Sequence, residues 1–180
     1  MPADAGAPSL GVFRECATLA AMLSMLHFLT HIGLSWLVAR VGRASRRDSW
    51  LVTLAGVLPD LDGAGIVWSH DAYLAAHRAV GHGAPFGLML VGFALWRADA
   101  RWSTAALTAV SFHLHLALDL VGTGGLAVRY LWPMSDWGLS YRGHWVLASW
   151  PNALVMAATL LGVLGVAWRA RRVALAGRPG

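Results

Sequence analysis

Apolar residues group into five stretches, near 17–39, 50–68, 84–96, 103–121 and 152–168. Most approach the roughly 20 residues that a helix needs to cross the hydrocarbon core of a bilayer, although the third is short. Pro59 and two aspartates interrupt the second stretch, which indicates a broken or re-entrant helix. The pattern predicts an all-α, polytopic membrane protein with four to five transmembrane helices, one of them broken at Pro59.

Composition supports a membrane protein. Hydrophobic residues make up 57% of the chain and charged residues 13%, whereas a soluble domain carries about a quarter charged residues. The length indicates one membrane-embedded domain over 1–180, with a short N-terminal tail at 1–14 and a basic tail at 169–180. Residues 1–11 lack a basic segment ahead of the apolar run, so we expect the first helix to direct insertion without cleavage. Cys16 is the single cysteine, which excludes an intrachain disulfide and a cysteine-based zinc site.

All fourteen basic residues are arginines, and they lie mainly between the apolar stretches. This placement favours contact with the bilayer over a nucleic-acid partner. Ten of them follow the first, third and fifth stretches: Arg40, Arg43, Arg46, Arg47, Arg97, Arg101, Arg169, Arg171, Arg172 and Arg178. The positive-inside rule makes their side cytoplasmic. We therefore expect a bacterial inner-membrane protein whose segments 77–82 and 122–144 face the extracytoplasmic side.

Histidine and aspartate recur inside or beside these apolar stretches. A charged residue at the centre of a membrane helix is unfavourable by about 2.5–3.5 kcal/mol. Several such residues in one chain are explained most simply if their ionisable groups meet and share a counter-charge. Imidazoles combined with carboxylates are ligands that a divalent transition metal selects.

His115 and Asp119 are four residues apart in the fourth stretch, so on a helix they lie one turn apart on the same face. That spacing suits two metal ligands, or a ligand and its orienting partner. A packed histidine–aspartate hydrogen bond is the alternative. His113 lies about 200° around the helix from His115, which excludes it from the same ion.

Asp60 and Asp62 are two apart, and on a regular helix they would point to nearly opposite sides. They converge only if the backbone is extended or turned. Pro59 favours this, because it cannot donate to the helix ladder and disfavours helical geometry at Leu58. A helix that stops at Leu58 would deliver both carboxylates into a cavity; a polar turn at the membrane surface is the alternative.

His77 and His82 flank a glycine, and a loop could direct both imidazoles at one metal. Arg78 offers a planar guanidinium for a phosphate or carboxylate, or it extends to lipid headgroups. His31 lies inside the first stretch, with His27 one turn earlier on the same face. Each is a candidate ligand or a hydrogen-bonded packing residue, with packing favoured for His27.

At these residues the chain resembles the YdjM-like inner-membrane proteins, which are described as membrane-bound metal-dependent hydrolases. The matching pieces are Thr30–His31, 58–62 (LPDLD), 77–82 (HRAVGH), 115–119 (HLALD), 120–124 (LVGTG), 131–136 (LWPMSD) and 148–152 (ASWPN). The family often reads His-Arg-Gly-x-Thr-His-Ser, whereas Ala79, Gly81 and Gly83 stand here at the glycine, threonine and serine positions. Hydroxyls that would orient a ligand or substrate are therefore missing.

The resemblance implies a helical membrane protein that binds one or two divalent ions, with zinc expected. The expected ligands are His31, Asp60, Asp62, His77, His82, His115 and Asp119. We expect hydrolysis of a lipid or lipid-linked phosphoester, with Asp60 or Asp62 as general base and Arg78 holding the phosphate. A metal or proton transporter and a non-catalytic scaffold with a structural metal are the alternatives.

Overall fold

A computed structural model describes residues 10–176, and Arg178 and both chain ends lie outside that range. The elements in chain order are α1 (Leu10–Val41), α2 (Arg46–Ala55), a 3₁₀ helix (Leu58–Val67), α3 (His70–Ala76), α4 (Ala84–Arg97), α5 (Arg101–Gly122) and α6 (Trp150–Ala176). The segment between α5 and α6 is irregular, with one isolated β-bridge that joins Val128 and Leu139. The described part of the chain is thus helical, as predicted.

Within residues 10–176, three segments are long and apolar enough to cross a membrane: Met22–Val41, Arg101–Gly122 and Trp150–Ala176. The shorter apolar helix α4 coincides with the third predicted stretch. The second stretch forms α2 and the 3₁₀ helix, so the chain does break at Pro59. The prediction of a polytopic helical membrane protein, with four to five spans and one broken helix, is confirmed.

The break between α2 and the 3₁₀ helix brings the backbone of Gly56 against two other helices. A Cβ atom built on Gly56 would lie 1.7 Å from the Ser35 hydroxyl oxygen in α1 and 2.8 Å from that of Ser111 in α5. Only glycine permits this approach. As a result, the Gly56 carbonyl reaches the buried face of α5, where it accepts a hydrogen bond from His115 at 3.0 Å.

Helix α5 lies at the centre of the bundle and packs on α4, α2 and α1, whereas α6 packs mainly on α1. Close packing of α4 on α5 depends on Gly87, where an added Cβ would lie 2.6 Å from the Phe112 ring. The buried apolar cluster around this contact contains Ala55, Leu90, Phe112, Leu116 and Val128. This packing fixes the rotation of α5 and therefore the direction in which its polar residues point.

Polar contacts join the two turns at the arginine-rich end of the bundle. The Asp48 carboxylate in α2 is fully buried and accepts hydrogen bonds from the backbone N–H groups of Asp99 and Ala100, both at 3.0 Å, and from the Thr104 hydroxyl at 2.9 Å. Arg47 donates to the Asp99 carboxylate at 3.0 Å. Asp48 therefore satisfies N–H groups at the start of α5 that have no helical partner.

These contacts also lower the pKa of Asp48. Burial alone would raise it, but the hydrogen bonds from Ala100, Asp99 and Thr104 stabilise the charged form and bring the pKa below its ordinary value of 3.8.

Asp119 follows Thr104 by fifteen residues on α5, or about 22 Å along the helix axis. The histidines and aspartates described next thus lie at the opposite end of α5 from the arginine-rich turns.

Candidate metal centre

Four parts of the chain converge at the end of α5. Helix α5 contributes His115 and Asp119, and α1 contributes His27 and His31. The 3₁₀ helix contributes Asp60 and Asp62, and the loop between α3 and α4 contributes His77, Arg78 and His82. The side chains of His82 and His115 are inaccessible to solvent. Residues far apart in sequence therefore meet in one buried polar cluster.

Ligand atoms of Asp60, His82, His115 and Asp119 all lie within 4.8 Å of one another, close enough to share a metal ion. The Nε2 atom of His115 is 3.2 Å from Nε2 of His82, 3.6 Å from Asp60 Oδ1 and 3.8 Å from Asp119 Oδ2. His82 Nε2 is 3.2 Å from Asp119 Oδ2. We refer to these four residues as the first ligand group.

His27, His31 and Asp119 form a second ligand group with the same spacing. Both Nε2 atoms face Asp119 Oδ1, at 3.3 Å from His27 and 3.2 Å from His31. Asp119 belongs to both groups and directs a different oxygen to each. The sequence favours a packing role for His27, yet its four-residue spacing from His31 places both residues on one face of α1.

The alternative interpretation of His115, a packed hydrogen bond to Asp119, is not the arrangement that the structure contains. His115 Nδ1–H donates to the Gly56 carbonyl, while Asp119 lies 3.8 Å from the other ring nitrogen. Asp119 lies closer to the Nε2 atoms of His27, His31 and His82, at 3.3, 3.2 and 3.2 Å. His113 faces away, as predicted, and bonds to the Ala109 carbonyl and the Tyr130 hydroxyl.

The hydrogen bonds around the first ligand group fit a cation. His115 Nδ1–H donates to a carbonyl, and His82 Nδ1 lies 2.9 Å from Asp62 Oδ2, which accepts its proton. In the neutral rings both Nε2 atoms then carry lone pairs, and these face each other at 3.2 Å. A proton or a metal ion between them removes that repulsion. Histidine ligands of metals characteristically donate the other ring N–H to a carboxylate or a carbonyl, as here.

The charge of the cluster also fits a divalent ion. The cluster holds the carboxylates of Asp60, Asp62 and Asp119 against one guanidinium, that of Arg78, so neutral imidazoles leave two negative charges in excess. The buried Nδ1 atom of His31 makes no hydrogen bond within the described residues, so His31 lacks the orienting contact that His82 and His115 have. Nitrogen and carboxylate donors with a net negative charge suit zinc and related ions.

Asp62 and His77 lie beside the first ligand group but outside both groups. Asp62 Oδ1 accepts a hydrogen bond from His77 Nδ1 at 3.0 Å, and Oδ2 accepts from His82 Nδ1 and from the Gly81 backbone N–H at 3.1 Å. A Cβ on Gly81 would lie 2.3 Å from the Pro59 carbonyl oxygen. Glycine at 81 thus lets the loop rest directly on the 3₁₀ helix, so that Asp62 reaches His82.

Arg78 is 3% exposed and has a positive φ of 61°. Its guanidinium donates to the Leu126 carbonyl at 2.7 Å and to the Thr123 hydroxyl, and it lies 3.7 Å from Asp119 Oδ2. Its Nε atom has no hydrogen-bond partner among the described residues. Arg78 therefore joins the cluster to the segment that follows α5.

A cavity of about 340 Å³ opens beside the cluster. Its polar lining includes Asp60, His77, Arg78 and Asp119, and its apolar lining includes Phe28, Leu126 and Leu147. Asp60 is the most accessible carboxylate of the first ligand group, with 24% of its side chain exposed against 4% for Asp119.

No curated protein and no solved structure matches the chain. A sequence profile of the YdjM inner membrane protein family matches residues 22–177. That range includes α1 from Met22 onward, the broken helix, both ligand groups and nearly all of α6. With most of its length matched, the chain belongs to the YdjM family of inner membrane proteins.

Proposed function

We propose that this protein is a membrane-bound, metal-dependent hydrolase that acts on a phosphoester of a lipid or lipid-linked substrate. The observation that carries the proposal is the first ligand group, two imidazoles and two carboxylates within 4.8 Å of one another beside a cavity. Buried ionisable residues in a membrane protein are costly, and they are retained where they have a function.

Asp60, His82, His115 and Asp119 would hold one ion, and His27, His31 and Asp119 would hold a second. The donor set favours zinc. When bound, such an ion polarises a phosphoryl oxygen and makes a water molecule more acidic. Asp119 would join the two ions, because each of its oxygens faces a different ligand group.

We assign roles to Asp60, Asp62 and Arg78 from their positions around the cluster. Asp60 lies at the boundary between the ligand group and the cavity, where it would accept the proton of the attacking water. Asp62 holds His82 and His77 in the required orientation through its two oxygens. Arg78 lines the cavity, where its positive charge would attract a phosphoryl group, while its N–H groups hold the segment after α5.

The location of the cavity supports a lipid substrate. Polar groups for a phosphate and apolar side chains for a tail line the same cavity, at one end of the membrane helices. The arginine-rich turns lie at the other end of the bundle, and the positive-inside rule assigns that end to the cytoplasm. The cavity would therefore open toward the extracytoplasmic side.

Metal analysis of the purified full-length protein tests the proposal. We expect one or two zinc ions per chain in the wild type, loss of zinc in Asp119→Ala, and retention in the matched control His113→Ala, which removes a histidine of the same helix that faces away. The zinc-loaded wild type should hydrolyse p-nitrophenyl phosphoesters or phosphatidylglycerol in vesicles. Asp60→Asn keeps an amide oxygen as a weaker ligand, and it should lose turnover even at saturating zinc.

Three outcomes would contradict the proposal. Equal zinc content in wild type and Asp119→Ala would remove the ligand assignment. Zinc flux into liposomes without ester turnover would identify a transporter. Zinc that stays bound while neither turnover nor flux occurs would identify a structural metal.

A further inference from the structure

A second feature, independent of the ligand groups, lies at the arginine-rich end of the bundle. A groove of about 460 Å³ runs between α1, α2 and α6. Its walls are mostly apolar and include Trp36, Trp50 and Val163, whereas Arg40 and Arg46 lie at the end where α1 finishes and α2 begins. The groove therefore combines a long apolar surface with a basic end.

The groove exists because α6 packs mainly on α1. Close contact between α1 and α6 occurs at Gly33, where an added Cβ would lie 2.7 Å from the Thr159 methyl group. Helix α2 packs instead on α1 and α5. The wedge that remains between α2 and α6 is lined mostly by apolar side chains of apolar helices, so it suits an apolar occupant.

Two cations at the end of this groove lack a protein counter-charge. Arg40 and Arg46 are exposed, and neither pairs with a carboxylate in the described part of the chain. Arg47, by contrast, pairs with Asp99 at 3.0 Å. Basic pockets between transmembrane helices bind anionic lipid headgroups, each arginine contributing electrostatic attraction.

The groove also has the length of a lipid tail within one leaflet. Arg40 follows Ile32, which lines the groove, by eight residues, or about 12 Å along α1. Half of the hydrocarbon core of a bilayer is about 15 Å thick. A phosphate held at Arg40 and Arg46 would thus place its acyl chain along the apolar walls.

We propose that the groove between α1, α2 and α6 binds one anionic phospholipid, with the phosphate at Arg40 and Arg46. This site is separate from the ligand groups, because Arg40 lies nine residues beyond His31, or about 14 Å along α1. It does not depend on the proposed hydrolase activity. A lipid here fills the wedge that α6 leaves open and fastens α6 to α2.

Native mass spectrometry of the full-length protein with added lipid tests the proposal. We expect the wild type to retain one phosphatidylglycerol and to release phosphatidylcholine. Arg40→Gln combined with Arg46→Gln should weaken phosphatidylglycerol binding about 30-fold, the effect of two arginines at a membrane surface. The matched control, Arg43→Gln with Arg97→Gln, makes the same charge change at the same end but outside the groove and should retain the lipid.

A second variant tests the apolar part. Ala167→Trp fills the groove without changing its charge and should abolish lipid retention while elution volume and helical content stay unchanged. Equal weakening by the control pair, or equal retention of phosphatidylcholine, would overturn the proposal, since either shows non-specific attraction. A wild-type dimer that the Arg40 and Arg46 variant dissociates would assign the groove to a second copy of the chain.

Discussion

Substitution of Asp62 tests whether this residue is a metal ligand itself or orients a histidine that is. The Asp62 carboxylate uses its oxygens differently: Oδ1 faces His77, whereas Oδ2 accepts from both His82 and the Gly81 backbone. Asp62→Asn preserves the shape and one acceptor. If the amide oxygen takes the Oδ2 position, His82 keeps its partner, and the new NH₂ group faces a His77 ring that can adopt the other tautomer. Asp62→Ala removes every acceptor.

The expected loss follows from these contacts. Removing an orienting partner of a metal ligand typically weakens metal affinity 10–100-fold. Asp62→Asn keeps the bond to His82, so we expect about a 10-fold loss, or about 1.4 kcal/mol. Asp62→Ala leaves His82 Nδ1–H buried without an acceptor, so we expect about a 100-fold loss, or about 2.7 kcal/mol. The number of ions bound at saturating zinc should not change.

Competition titration of zinc against a chromogenic chelator, with the full-length protein in detergent, measures both affinity and stoichiometry. Asp71→Asn provides the matched control, because it removes one carboxylate from the exposed start of α3. If Asp62→Ala lost an ion as completely as Asp119→Ala, then Asp62 would be a ligand itself. If Asp62→Ala bound zinc with wild-type affinity, His82 would not be held by Asp62 in the metal-bound protein, and the reasoning would fail.

Two other substitutions test the fold around the centre. Asp48→Asn should cost about 2 kcal/mol at pH 7 through weakened hydrogen bonds at the start of α5. The folded-state pKa of Asp48 is lowered, so its stabilisation is complete above the unfolded-state pKa and is lost as the pH falls through the folded-state pKa. Thermal unfolding between pH 7 and 3 should therefore show a larger loss of stability in wild type than in Asp48→Asn. Gly81→Ala should lower both thermal stability and zinc affinity, because its Cβ meets the Pro59 carbonyl at 2.3 Å, whereas Gly92→Ala, which meets no atom within 4 Å, should leave zinc affinity unchanged. Wild-type zinc affinity in Gly81→Ala would contradict the close packing of the loop on the 3₁₀ helix.

The helices could be predicted because hydrophobic length is a local property. The stretches at 84–96 and 103–121 correspond closely to α4 and α5. Pro59 marked the break because its ring and missing N–H act on neighbouring residues. The shared face of His115 and Asp119 followed from helix geometry alone. Each of these inferences needs only a few consecutive residues.

The partners across the bundle could not be predicted in this way. Asp119 meets the α1 histidines because contacts such as Gly87 with Phe112 fix the rotation of α5, and such contacts join distant residues. The predicted convergence of Asp60 and Asp62 also depended on the path of the turned backbone. The 3₁₀ helix directs Asp60 toward His115 and Asp62 toward His77 and His82. The acceptor role of Asp48 likewise needs two turns that are distant in sequence.

The interruption before Pro59 has a chemical consequence for His115. In an unbroken α-helix, the oxygen of residue 56 would accept the amide hydrogen of residue 60. Here the amide of Asp60 bonds to Val57 instead, and the oxygen of Gly56 is released to the imidazole of His115. The discontinuity thus creates the acceptor that selects the tautomer of a neighbouring histidine. A mutation that restored helical continuity would withdraw this acceptor without altering any of the ionisable side chains.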